Sequence, residues 1–209
     1  MAENGTIASA ANMTVFRDLF PGTPAISYVN PNGFNLSDGM QVTMDVNAAR
    51  PPVATILSII LAGPADEGDV KTNNIAGNLI VDGGSATPVV TLKGITVTGN
   101  VRVTNGGKVI IKTNDAGVKT TITRGLNSNQ NSRVVFYKSE IQGVATVTNC
   151  LEFTSTGGNV GSSLILVNNS TVLVDETAVD GDVVVNNSSV SATVKNCNIT
   201  GNLEMHNNA

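Results

Sequence analysis

The sequence predicts an all-β protein, in which a parallel β-helix (a solenoid) of about seven coils follows a small, non-repetitive, β-rich N-terminal region. The first reason is a repeat, because anchor residues recur at spacings of 22, 21, 23, 19, 19 and 20 residues. The anchors are Gly77, Gly99, Thr120, Gly143, Ser162, Gly181 and Gly201. A period in this range is typical of solenoids, in which each coil buries its apolar face against its neighbours.

The second reason is the apolar pattern around the anchors. The positions two residues before, two after and four after each anchor are apolar, except for Arg124 in the third coil. In the last two coils this pattern places Val183, Val185, Leu203 and Met205 inside the solenoid, stacked on the neighbouring coil. Alternation at period two is typical of strands that turn one face inward.

The composition is the third reason. Aromatic residues make up 3% of the chain and charged residues 13%. Globular sandwiches and barrels usually bury large aromatic side chains, whereas a solenoid core of stacked aliphatic residues needs few. Asn, Thr, Ser and Gly supply most of the polarity, and these residues favour turns and strands over helices.

Residues 1–70 do not follow the repeat, so we divide the chain into an N-terminal region (1–70) and a solenoid (71–209). Within the N-terminal region, the stretch Gly5 to Met13 is small and polar, which predicts a flexible arm. The stretch Val15 to Phe20 predicts a short helical turn that ends at Pro21.

The rest of this region predicts loops and two strands. Pro24 to Asp38 is rich in Pro, Asn and Gly, which predicts loops. Met40 to Val46 alternates between apolar and polar residues, and Thr55 to Leu61 is largely apolar, so both segments predict strands. Ala65 to Asn74 is polar and acidic, which predicts a linker to the first coil.

Six of the seven coils are predicted to turn a tight corner six residues past the anchor. That position holds Gly83, Asn105, Asn149, Asn168, Asn187 and Asn207. Asn and Gly tolerate left-handed backbone conformations, which suits them to such a corner. Stacked asparagines of successive coils are also able to hydrogen-bond through their side-chain amides as a ladder.

Together these features resemble the right-handed parallel β-helix superfamily over about 135 residues, from Ile75 onward. The stretches closest to its motif are Leu92-Lys-Gly-Ile-Thr-Val-Thr-Gly-Asn-Val and Val194-Lys-Asn-Cys-Asn-Ile-Thr-Gly-Asn-Leu. The superfamily includes pectin-active enzymes, phage tailspikes and viral fibre proteins. The resemblance therefore implies a fold and leaves several functions open, since fold alone does not determine function.

Two carboxylates, those of Asp180 and Asp182, are candidates for a hydrolase site or a hard-cation site. They flank Gly181 at a predicted turn, and no Arg or His accompanies them. We therefore interpret them as a solvated corner, and we expect no catalytic residues, no cofactor and no metal site in this chain.

A stripe of residues six positions before the anchors is a candidate glycan-binding surface. It consists of Lys71, Lys93, Tyr137, Asp175 and Lys195. Stacking predicts that Asp175 pairs with Lys195 of the next coil, about 4.8 Å along the axis. A solvated face is the plainer interpretation, because exposed ion pairs of this kind contribute little to stability.

His206 and the two cysteines are isolated candidates. One histidine per chain cannot complete a metal site alone, although three copies could meet on the axis of a trimer. Cys150 and Cys197 fall at different corners of the repeat, which predicts free thiols rather than a disulfide.

Charge and hydropathy exclude some function classes. A net charge of −4, without a Lys/Arg cluster, argues against nucleic-acid binding. The longest apolar stretch, Val53 to Ala62, is too short to span a bilayer, so no membrane partner is expected. The first residues lack the basic and apolar segments of a secretion signal, which predicts synthesis in a host cytoplasm.

These exclusions and the resemblance to viral β-helix fibres predict a non-enzymatic structural protein of a virion, such as a phage head fibre, a decoration protein or a short tail fibre. Two alternatives stay open, a polysaccharide-active β-helix enzyme and a self-assembling bacterial surface or spore-coat protein. The enzyme predicts a groove with convergent acids and aromatic platforms. The coat protein predicts polymerisation of the purified chain.

The N-terminal region is the predicted attachment module. On a helical turn, Val15, Phe16, Leu19 and Phe20 present one apolar face, which we assign to the contact with a capsid or other particle protein. The open alternative is that this turn caps the solenoid. Leu203 to Ala209 contains no predicted capping helix, so we expect a homo-oligomer, with a trimer favoured, or a partner over that end. A host-surface glycan is a further candidate ligand.

Overall fold

The computed structural model describes residues 2–34, 36–62, 70–71, 74–83 and 89–209. This part of the chain contains 25 β-strands and no helix, which confirms the predicted all-β class. The strands form a small, mainly antiparallel N-terminal unit and a parallel solenoid of about seven coils.

The N-terminal unit is a closed ring of five strands, a small barrel. Its strands are β1 (Ala2–Ser9), β2 (Thr14–Arg17), β3 (Ile26–Val29), β4 (Gln41–Val46) and β5 (Val53–Ala62). Hydrogen bonding runs in the order β1–β2–β3–β5–β4 and closes from β4 back to β1, with only the β3–β5 pair parallel. The interior is filled by the buried side chains of Ile7, Val15, Val42, Met44 and Ile56.

Pairing between distant segments overturns three predictions for this region. The predicted flexible arm, Gly5 to Met13, overlaps β1, which pairs with both β2 and β4. The predicted helical turn, Val15 to Phe20, begins within β2 and continues as a loop. The predicted loop segment, Pro24 to Asp38, contains β3. Each error has the same cause, because a short strand is stabilised by its partners rather than by its own sequence.

The two predicted strands of this region are confirmed as β4 and β5. The predicted linker, Ala65 to Asn74, lies largely outside the described residues. Two of its residues, Val70–Lys71, form the short strand β6.

The solenoid is built from three parallel sheets that run along its length, and successive strands of the chain move from one sheet to the next. Sheet A contains β7 (Asn78–Asp82), β10 (Val101–Thr104), β13 (Leu126–Ser128), β16 (Ala145–Thr148), β19 (Leu164–Val167), β22 (Val183–Asn186) and β25 (Leu203–His206). Sheet B contains β6, β8 (Val89–Lys93), β11 (Lys108–Lys112), β14 (Arg133–Tyr137), β17 (Glu152–Thr156), β20 (Thr171–Asp175) and β23 (Ser191–Lys195). Sheet C contains β9 (Thr96–Val97), β12 (Thr121–Ile122), β15 (Glu140–Ile141), β18 (Asn159–Val160), β21 (Ala178–Val179) and β24 (Asn198–Ile199).

Strand β5 joins the two units. Its first residues, from Val53 to Thr55, pair with β3 of the barrel. Its last residues, from Ser58 to Ala62, pair with β7 of the solenoid. Sheet A therefore continues from the solenoid into the barrel through one long strand.

Inward side chains stack in columns along the solenoid, as predicted. One column of sheet A consists of Val101, Leu126, Ala145, Leu164 and Val183, all of them buried. Val183 and Val185 are completely buried. Leu203 and Met205 continue these columns but are 48% and 39% exposed, because they lie in the last coil and only the preceding coil packs against them.

Most anchors are glycines because adjacent coils approach each other closely at this corner. A Cβ atom on Gly143 would overlap the carbonyl group of Arg124, and a Cβ atom on Gly99 would overlap the carbonyl group of Gly77. A side chain at these two positions would therefore force neighbouring coils apart.

The third coil differs in register from the prediction. Strand β12 pairs Ile122 with Val97 in the coil before and with Ile141 in the coil after. Arg124, rather than Thr120, therefore occupies the anchor position of this coil. In the correct register Arg124 no longer occupies an inward position, and the one polar residue among the pattern's inward positions in this coil is the buried Ser128.

An insertion causes this shift. Residues 113–120 separate β11 from β12, whereas only residues 138–139 separate β14 from β15. We call residues 113–119 the insertion loop. Val118, which was predicted to point inward, lies in this loop and is 52% exposed. The inward positions of this coil in sheet A are held by the buried Leu126 and Ser128.

Candidate functional site

The four predicted attachment residues lie on the barrel, in β2 and in the loop that follows it. Val15 is completely buried inside the barrel. Because side chains alternate along a strand, its neighbour Phe16 points to the opposite, outer face. Phe16, Leu19 and Phe20 are 49%, 66% and 48% exposed. The prediction is therefore wrong for the helical turn and for Val15. The other three residues reach the surface, and we call them the apolar patch.

Phe20 also covers an ion pair at the end of the barrel. The Arg17 guanidinium lies 4.2 Å from the centre of the Phe20 ring. It donates to both carboxylate oxygens of Glu3, with an Nε–Oε1 distance of 2.6 Å and an Nη2–Oε2 distance of 3.0 Å. The Glu3 side chain is only 5% exposed, and its hydrogen bonds raise the pKa of Arg17. This pair holds β1 and β2 together beneath the patch.

The predicted asparagine corners are confirmed in most coils. Left-handed backbone, with φ between +52° and +57°, is found at Asn105, Asn149, Asn168, Asn187 and Asn207. Gly83 does not adopt this conformation. The ladder is present in part, because Asn187 donates to the Asn168 amide oxygen at 3.0 Å.

A second pair of asparagines, which sequence reasoning missed, bridges neighbouring coils at the same corner. Asn169 is almost completely buried, and its amide oxygen accepts from the Cys150 N–H at 2.9 Å while its amide nitrogen donates to the Val147 carbonyl at 2.9 Å. Asn208 binds the backbone of Ser188 in the same way. These amides satisfy backbone groups between coils, so their role is structural.

The acidic pair lies at the corner between sheets C and A. Asp180 and Asp182 are both exposed. The Asp182 carboxylate accepts a hydrogen bond from the Asn202 N–H of the next coil at 2.8 Å. Asn78 bridges the first coils in the same way. The arrangement supports the interpretation of these carboxylates as a solvated corner.

The predicted stripe is a corner column at the ends of the sheet B strands. Its members are Lys93, Lys112, Tyr137, Thr156, Asp175 and Lys195. The predicted pair of Asp175 with Lys195 is confirmed at 3.3 Å. Lys71 pairs with Leu92, so it does not belong to the column. The prediction omitted Lys112 and Thr156.

The cysteines and the histidine stay separate from one another. Cys150 and Cys197 are free thiols, as predicted, and desolvation raises the pKa of the buried Cys150. His206 is exposed on β25. Among the described residues, no group of three His, Cys, Asp or Glu side chains could hold a metal ion. The described part of the chain also has no helix long and apolar enough to cross a membrane.

A cavity that sequence reasoning missed lies beside the insertion loop. Its volume is about 550 Å³, and its walls are the loop together with Tyr137, Lys138 and Gly157 of the two following coils. The extra length of the third repeat was the signal that could have located it. Choosing Thr120 as the anchor hid the extra length, because it gave this repeat an ordinary spacing of 21 residues.

Comparison with protein-family models, with curated proteins and with solved structures finds no match to this chain.

Proposed function

We propose that this chain is a non-catalytic structural protein, in which the barrel attaches to a particle and the solenoid projects from it as a rigid spacer. The observation that carries this proposal is the shared strand β5. Because β5 pairs with β3 and then with β7, one long strand links the attachment unit to the spacer. Seven coils at ~4.8 Å each give a spacer on the order of 30 Å long.

The apolar patch supports the barrel as the attachment unit. Phe16, Leu19 and Phe20 are each about half exposed or more. Exposed large apolar side chains surrounded by polar residues are typical of protein interfaces. Arg17, held by Glu3 against the Phe20 ring, adds a residue type that often contributes strongly to binding.

The particle in this proposal is a virion, and the chain is its head fibre, decoration protein or short tail fibre. The support for this setting is the resemblance to viral β-helix fibres. Of the two acids that would serve the enzyme alternative, Asp182 has a structural role, since its carboxylate bridges to the next coil. The trimer predicted from the sequence stays a prediction, which static light scattering of the purified chain tests.

The test is incorporation of the double variant Phe16→Asp/Leu19→Asp, produced with a C-terminal tag in cells that make the particle. Phe20 stays unchanged because it packs on Arg17. Particles are banded on a density gradient and probed for the tag. We expect the double variant to keep the circular dichroism of the parent and to fall about tenfold or more in the particle band.

Val190→Asp is the matched control, because Val190 is an exposed apolar residue of the solenoid, 66% exposed. This variant should be incorporated like the parent. A double variant that also bands like the parent would place the attachment surface elsewhere. A parent chain that bands with no particle would contradict the proposed function, and fibres formed by the purified chain alone would favour the coat-protein alternative.

A further inference from the structure

The insertion loop makes one corner of the solenoid unlike the others. In the other described coils, two residues join a sheet B strand to the next sheet C strand, and here eight residues do so. The cavity beside the loop has a volume of about 550 Å³, which lies within the range of small-ligand sites, about 300–1,000 Å³. We call it the insertion pocket.

The loop is held in place by its own hydrogen bonds. The Asn114 amide oxygen accepts from the backbone N–H groups of Ala116 and Val118, at 3.0 and 2.9 Å. At the base of the loop, the buried Thr120 hydroxyl donates to the Lys112 carbonyl at 2.7 Å. A ligand would therefore meet a wall that is already ordered, which lowers the entropic cost of binding.

The pocket is cationic, although the net charge of the chain is −4. Its one carboxylate, that of Asp115, pairs with the Lys93 ammonium at 2.8 Å. This hydrogen bond, with a further contribution from Lys112, lowers the pKa of Asp115. Lys119 and Lys138 also line the pocket and have no ion-pair partner in the described part of the chain. Two ammonium groups are therefore available to an anionic ligand.

Tyr137 gives the pocket an aromatic surface. Its side chain is 41% exposed, whereas Phe136 and Phe153, the other aromatic residues of the described solenoid, are buried. The Lys138 ammonium lies 5.2 Å from the centre of the Tyr137 ring. A tyrosine ring combines an apolar body with a polar hydroxyl, which suits the mixed C–H and hydroxyl surface of a sugar.

We propose that the insertion pocket binds an acidic saccharide. Its carboxylate or sulfate group lies between Lys119 and Lys138, and its ring contacts Tyr137. The Asn114 amide nitrogen is left to donate to a sugar hydroxyl, because the amide oxygen is already engaged by the loop. The lysines favour an acidic over a neutral sugar, and the tyrosine favours a sugar over an inorganic anion. This adds ligand recognition to a structural role.

Titration calorimetry on the purified full chain tests the proposal with three probes. These are a galacturonate tetrasaccharide, a neutral galactose tetrasaccharide and an eight-residue oligothymidylate, which presents the alternative class of polyanion. We expect the acidic tetrasaccharide to bind about tenfold or more tightly than the neutral one. Its affinity should fall as the salt concentration rises, since salt screens exposed charges.

Three variants locate the site. Tyr137→Ala and Lys119→Gln should each weaken binding of the acidic tetrasaccharide about fivefold. Lys138→Asn should have a similar effect without backbone strain, because Lys138 has φ of +44° and Asn196 adopts φ of +53° at the same corner. Lys195→Gln, in the same corner column as Tyr137 but three coils further along, is the matched control and should bind like the parent.

Several results would overturn the proposal. One is equal affinity for the acidic and neutral tetrasaccharides, and another is an absence of acidic-saccharide binding at about 1 mM. A third is an oligonucleotide that binds as tightly as the acidic tetrasaccharide and is insensitive to Tyr137→Ala. Because the assay uses the isolated chain, its outcome is independent of whether the barrel attaches to a particle.

Discussion

The barrel and the solenoid are both β-structures, yet their sequences specify them in different ways. In the solenoid, strands such as β16, β19 and β22 pair with segments that resemble them, so the repeat sets both the strand and its register. In the barrel, β1 pairs with β2 and β4, and no repeat relates the three. The solenoid buries stacked aliphatic residues, whereas the barrel exposes the apolar patch. In the proposed function, the regular unit is the spacer and the irregular unit is the attachment surface.

One tyrosine in each unit lets the two be followed separately. Tyr28 is buried in the barrel and Tyr137 is half-exposed on the solenoid, and the chain contains no tryptophan. Tyrosine fluorescence therefore reports the solenoid in a Tyr28→Phe background and the barrel in a Tyr137→Phe background.

The largest expected effect is in the solenoid core. Val183 is completely buried between Leu164 of the preceding coil and Leu203 of the following one. Val183→Asp places a charge in this column without a partner, which should lower the free energy of unfolding by about 3–5 kcal/mol. Urea unfolding followed through Tyr137 measures the change.

The adjacent residue provides the matched control. Val184 lies on the same strand but on its outer, less buried face, so Val184→Asp should cost about 1 kcal/mol or less. If Val183→Asp melts within about one degree of the parent, Val183 does not point inward. Equal losses in the two variants would mean that β22 does not alternate as described.

The second prediction compares how much a buried ion pair of the barrel and an exposed ion pair of the solenoid each contribute to the free energy of unfolding. Arg17→Ala removes both hydrogen bonds to the Glu3 carboxylate, which is only 5% exposed. Leaving such a group without partners should lower the free energy of unfolding of the barrel by about 1–3 kcal/mol. Unfolding followed through Tyr28 measures it.

Lys195→Ala is the counterpart in the solenoid, because it removes the partner of Asp175 at the surface. This change should hardly move the unfolding transition reported by Tyr137, since exposed pairs contribute little. Equal shifts in the two variants would contradict the idea that burial makes the barrel pair the stronger one.

Sequence reasoning succeeds in this molecule where contacts recur along the chain. The column around Val183 and the left-handed corners at Asn168 and Asn187 follow from period and residue type. The predicted register of the third coil is wrong because the insertion shifts the repeat. Thr120 falls at the spacing expected of an anchor, but its hydroxyl donates to the Lys112 carbonyl at the base of the insertion loop. The insertion pocket is missed for the same reason.

Strands β4 and β5 of the barrel were predicted, but the pairing of the barrel strands was not, because its contacts are not periodic. Glu3 and Arg17 are fourteen residues apart, and they meet only because β1 pairs with β2. Val15 and Phe16 are both apolar, so their residue types fit a helical turn with both on one face as well as a strand with the two on opposite faces. Only the pairing of β2 with its neighbours decides which residue reaches the surface.

The smallest expected effect depends on pH and concerns the exposed pair of the solenoid. A hydrogen bond from Asn196, and then Lys195, lower the pKa of Asp175 below its unfolded value. A carboxyl group with a lowered folded pKa contributes its full stability above the unfolded pKa and loses it as pH falls through the folded value. Asp175→Asn should therefore lower the Tm by about 1–2 °C at neutral pH, and the two melting curves should converge in acid. A difference that persists or grows as the pH is lowered to about 2 would show that Asp175 acts through packing and hydrogen bonding rather than through its charge.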